Sequence, residues 1–76
     1  MTITDKRFNR NYCMCQYTDM CKEIVKRELN LDRSDLHCTS MSWDEFKAVS
    51  YKQNYLDVQV DCTINFNTGT LTIEVR

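Results

Sequence analysis

The chain has 76 residues, with ten basic and eleven acidic side chains, one histidine, five cysteines, one glycine and no proline. That length makes one domain, 1–76, with a modest core that is marginal without some further support. The balanced charge excludes a whole-chain pull toward nucleic acid or membrane, and no apolar run approaches the ~20 residues of a membrane span.

Residues 1–10 are polar around an isolated Ile3 and Phe8, and read as a loose arm or as the lead into a strand. The start lacks the apolar core of a signal peptide. The expected location is therefore the cytoplasm (a host cytoplasm for a virus-encoded chain), with the five cysteines as reduced thiols. Tyr12 to Tyr17 is compatible with a short strand, with Cys13 and Cys15 on one face and Tyr12 and Met14 on the other.

Thr18 then reads as a helix N-cap, with Asp19 favoured in the first turn by the helix dipole. Met20, Cys21, Ile24, Val25, Leu29 and Leu31 gather on one side, and Lys22, Glu23, Lys26 and Arg27 on the other, which predicts an amphipathic helix. A polar connection from Asn30 to Thr39 holds Asp32, Arg33, Ser34, Asp35 and His37. Ser42 with Glu45 has the spacing of a capping box, and Met41 with Phe46 that of a hydrophobic staple. These predict a second helix over roughly Trp43 to Gln53, with Trp43, Phe46 and Val49 inward and Asn54 closing it.

The last third is the clearest stretch. Leu56, Val58, Val60, Cys62, Ile64 and Phe66 alternate with polar residues, and Leu71, Ile73 and Val75 resume the alternation after Asn67-Thr68-Gly69-Thr70. Period 2 predicts a β-hairpin with one apolar face. A four-residue loop, Asn67 to Thr70, sets Phe66 opposite Leu71, Ile64 opposite Ile73 and Cys62 opposite Val75, and places the only glycine where positive φ is needed. The expected fold class is α+β: an antiparallel sheet of two to three strands, with a C-terminal hairpin, packed on one face by two helices.

Four groups of residues bear on function. Cys13, Cys15, Cys21, His37 and Cys38 include zinc-ligand types, but the C-x-C spacing lacks the paired C-x-x-C pattern, so no metal or cofactor is expected. His37 beside Cys38 has no orienting third group, and no catalytic residue is assigned; the chain is read as a non-enzyme without a small-molecule substrate. Lys6, Arg7, Arg10, Lys22, Lys26 and Arg27, with Phe8, Tyr12 and Tyr17, form a basic and aromatic set that Asp5, Asp19 and Glu23 interrupt. The polar face of the hairpin offers Asp57, Asp61 and Glu74 as an acidic centre with Tyr51 and Tyr55 at its margin.

The reading that follows is a small protein-binding module that docks this face on a basic patch of a larger protein or complex. It would act as a stand-alone inhibitor or modulator by surface occlusion, in the manner of small viral or mobile-element inhibitors. The alternative is a zinc-stabilised or nucleic-acid-binding accessory module.

Overall fold

The computed structural model describes residues 1–9, 11–31 and 36–76. They form strand β1 (Thr2–Thr4), helix α1 (Met14–Leu29), and strands β2 (Leu36–Met41), β3 (Glu45–Lys52), β4 (Tyr55–Asn65) and β5 (Thr70–Val75). The strands make one antiparallel sheet in the order β1-β5-β4-β3-β2. The expected two helices on two to three strands is thus corrected to one helix on five strands, among the described residues. Asp32 to Asp35 of the polar connection and Arg10 of the basic set lie outside those residues, and Leu36 to Thr39 of the connection belong to β2.

The helix begins one turn earlier than Thr18. Tyr17, Met20, Cys21, Ile24 and Val25 are all buried, and they recur at the i, i+3, i+4, i+7, i+8 spacing of one helical face. Reading Tyr12–Tyr17 as a strand removes Tyr17 from that stripe. At the N-terminus Gln16 Oε1 accepts from the Cys13 backbone N–H at 2.9 Å. Thr18 lies inside the helix instead, its hydroxyl donating to the Met14 carbonyl at 2.9 Å. At the other end Asn30 is left-handed, with φ 55. The Leu31 N–H reaches back to the Lys26 carbonyl at 3.0 Å, a Schellman-type closure that turns Leu31 into the core.

The predicted second helix is strand β3. Phe46, Ala48 and Ser50 are buried while Glu45, Lys47 and Tyr51 are exposed, which is period 2. The residues that read as helix-start signals build the β2–β3 turn. Met41 and Phe46 are cross-strand partners, not a staple. The Ser42 N–H donates to the Glu45 carbonyl at 2.9 Å, closing a tight turn. Physically, β4 is a long strand whose second edge needs a partner, and β3 pairs with it along its whole length. A helix over the same residues would leave that edge open.

Asn54, read as a helix terminator, sits with Gln53 in the β3–β4 turn, at φ 69 and 52. Positive φ at both central residues of a two-residue loop is type I′ geometry, which matches the twist of the flanking strands. The C-terminal hairpin forms as expected and its loop has four residues, but these are Phe66 to Gly69. Ile64 pairs with Leu71 and Cys62 with Ile73, a two-residue slip from the expected register that keeps every side chain on its face. Gly69 takes φ 67, and the turn beneath it is close: the Asp5 N–H donates to its carbonyl at 2.8 Å. That contact and the pairing of Ile3 with Leu71 make residues 2–4 a sheet strand themselves; the stretch leads into a helix, not into a strand at Tyr12.

Helix α1 lies in the chain between β1 and β2, which occupy opposite edges of the sheet. Its stripe packs on Phe46, Ala48, Val60, Cys62, Ile64, Leu71 and Ile73. The opposite face of the sheet, carrying Glu45, Lys47, Thr63, Asn65 and Glu74, is exposed. The cover does not reach the ends of the strands. Leu56 and Val75, placed inside by alternation, are 56% and 55% exposed.

Candidate functional site

Strand β3 and β4 run past their neighbours. Strand β2 starts at Leu36, opposite Ser50, and β5 ends at Val75, opposite Val60. Among the described residues, 51–57 therefore form a two-stranded ribbon that projects from the sheet, and every one of them is exposed. Its tip carries Tyr51 at 50%, Tyr55 at 77% and Leu56 at 56% exposure. The long axis of the molecule measures 38 Å against 21 and 18 Å for the others.

The arrangement at the tip comes from a register shift between Ser50 and Tyr51. Ser50 pairs with Val58, but Tyr51 pairs with Leu56. Asp57 is the extra residue, and a one-residue bulge transfers Leu56 from the core-facing row to the Tyr51 side. Directly opposed residues share a face, so Tyr51 and Leu56 form one apolar pair on the ribbon. On the other face Lys52 pairs with Tyr55. The His37 ring, 6.2 Å from that of Tyr51, supports the base of the ribbon.

The five expected partner-binding residues are not one cluster. Tyr51, Tyr55 and Asp57 all lie in the ribbon, with Tyr51 and Tyr55 on opposite faces. Asp61 and Glu74 lie further down, in the body of the sheet, as direct cross-strand partners. Asp61 is not a free carboxylate: its Oδ2 is 2.8 Å from Arg76 Nη2, and its partner on the other side is Lys47. The repulsion between Asp61 and Glu74 is thus offset within the fold, and needs no basic partner to relieve it. Leu56 is the residue that alternation missed, since the bulge that exposes it leaves no mark in the polar–apolar pattern.

The other groups are dispersed. Arg7 is engaged by Asp5 in a bidentate pair, with Nη2–Oδ2 at 2.8 Å and Nε–Oδ1 at 3.1 Å, and reaches Glu23 at 3.5 Å. The hydrogen bond from Arg7 holds the Asp5 carboxyl below its usual range, against a smaller opposing effect of burial. This removes Arg7 from any basic surface that also needs Lys22 and Lys26. Among the described residues no three His, Cys, Asp or Glu side chains are grouped to hold a metal ion, and no helix is long and apolar enough to cross a membrane.

The thiols divide by burial. Cys13 and Cys15 are exposed at the helix start, while Cys21 and Cys62 are in the core. Burial pushes the Cys21 thiol up to about 12, with Cys62 and Cys38 adding to it. Burial, then Asp61, pushes Cys62 up to about 12 as well. The ordinary value for the unfolded thiol is 9.0. As pH rises above that value, unfolded thiols ionise and folded ones do not, so the core thiols favour unfolding progressively up to their folded pKa. Stability measured by denaturant titration is expected to fall steeply between pH 9 and 12, and to fall less in Cys21→Ala than in the parent. An equal fall in both would place the titrating groups elsewhere.

Comparison with family models, with curated proteins and with solved structures finds no match for this chain.

Proposed function

We propose that the chain is a protein-binding module that docks the β3–β4 ribbon on a larger protein and occludes the surface beneath it, as an inhibitor or modulator. The observation that carries this reading is the projecting ribbon, with Tyr51, Tyr55 and Leu56 held out of the fold at its tip. Exposed tyrosines on a geometrically fixed hairpin present large contact area at small entropic cost, and such residues dominate binding energy at interfaces. An isolated ribbon of this kind is poorly stabilised by itself. Cross-strand pairs and the type I′ turn set its shape, and a partner surface would bury what the helix does not. Asp57 at the bulge contributes a charge that guides encounter with a basic patch, and this is the part of the acidic-face expectation that remains.

The test is affinity capture from cells of the source organism, with the parent chain and with Tyr51→Ser, Tyr55→Ser, Leu56→Ser combined. A specific partner should be retained by the parent and weakened by at least about tenfold in the triple variant. Thermal stability should hardly change, because none of the three is in the core. A triple variant that retains the partner like the parent, or a parent that retains none, would rule the ribbon out as the binding element.

A further inference from the structure

The opposite end of the sheet from the ribbon carries the β2–β3 and β4–β5 turns, and between them lies an open cleft. Among the described residues it is lined by Ser42, Trp43, Asp44 and Phe66. Trp43 is 54% exposed. Its ring is held edge-on to Tyr17 at 5.6 Å and inclined by 64° to Phe66 at 6.4 Å. Tyr17 is fully buried beneath both and contacts Phe66 at 4.9 Å. The two walls are thus fixed from below and not free to collapse on each other.

The third component is a carboxylate. The turn that presents it is held at three points: Ser42 N–H to Glu45 O at 2.9 Å, Ile64 N–H to Asp44 O at 2.8 Å, and Ser42 Oγ to Asp44 Oδ1 at 3.0 Å. Asp44 takes part in none of the ion pairs among the described residues. One carboxylate oxygen is oriented by Ser42, and the other accepts no hydrogen bond from the described residues. Among the described residues no basic side chain lines the cleft.

The faces of aromatic rings and a carboxylate both attract positive charge. The shape narrows the choice among cations. A quaternary ammonium is spherical and is best held by aromatic walls on several sides. An open cleft with two inclined walls and one carboxylate at its rim suits a planar group, which stacks on a ring while its N–H edge meets the carboxylate. The guanidinium does this, and it is more weakly hydrated than an ammonium.

We propose that the Trp43–Phe66–Asp44 cleft is a binding site for an arginine side chain presented by a partner polypeptide. This site is separate from the ribbon and stands whether or not the ribbon binds a partner.

Trp43 is the only tryptophan in the chain, so its fluorescence reports this cleft directly. The experiment titrates the full chain with a short arginine-containing peptide and with the same peptide carrying citrulline, the neutral isostere. Further arms use the lysine peptide and tetramethylammonium. The arginine peptide should give a saturable change, at least about tenfold tighter than citrulline, lysine or tetramethylammonium. Asp44→Asn keeps an oxygen for the Ser42 hydroxyl, so the turn should remain intact while arginine affinity falls by about tenfold or more. Equal response to citrulline would show an apolar surface and overturn the proposal, as would tighter binding of tetramethylammonium. An unchanged affinity in Asp44→Asn, or no saturable change up to about 10 mM peptide, would overturn it equally.

Discussion

Tyr17→Ala is expected to cost roughly 3–5 kcal/mol, the range for removing a large aromatic side chain from a core. Tyr17 has no exposed surface, and Phe8, Tyr12, Trp43 and Phe66 all contact its ring, at centroid distances from 4.9 to 6.5 Å. It joins the helix to the N-terminal turn and to two sheet turns, so its loss opens a cavity that no single element can fill. Tyr17→Phe provides the contrasting result. The buried hydroxyl has no hydrogen-bond partner among the described residues. An unmet buried donor costs about 1–3 kcal/mol, so its deletion should be neutral or stabilising. Equilibrium denaturation of the two variants checks both statements. A phenylalanine variant that loses more than about 1 kcal/mol would mean that the hydroxyl is satisfied in solution.

Ile64→Ala is expected to cost roughly 2–5 kcal/mol, a large share of the stability of a domain of this size. Ile64 is 4% exposed near the C-terminal end of β4, facing Leu71 across the hairpin and packed in the core cluster with the helix. Its neighbour Thr63 is exposed on the other face, and Thr63→Ala should stay within about 0.5 kcal/mol of the parent, as surface substitutions do. Chemical denaturation that finds the two equally harmful would reverse the assignment of strand faces.

The local elements that the sequence determined are those where one pattern had one geometric meaning. Val60, Cys62, Ile64, Leu71 and Ile73 alternate over a run too long to be helical, and all five are buried on one face of a hairpin. Ile24 and Val25 fix a helix in the same way. The outward direction of Glu74 was also identifiable, since nothing in an alternating strand brings it to the core side without a bulge.

Tertiary structure decided the places where one pattern had two meanings. A Ser-x-x-Glu box and a Met–Phe staple bring together residues three and five apart, and so does a tight β-turn flanked by a cross-strand pair. Ser42, Glu45, Met41 and Phe46 satisfy either geometry, and the edge of β4 selected the strand. Asn54 favours positive φ equally in a helix terminus and in a type I′ turn. The register slip at Phe66–Gly69 leaves every side chain on its face, so alternation could not detect it. The bulge at Asp57 depends on how β3 meets β4, and with it goes the exposure of Leu56. Trp43 reached the surface because its segment turned between strands instead of starting a helix. Both candidate sites, the ribbon tip and the aromatic cleft, are therefore products of strand pairing between segments whose partners no local pattern specifies.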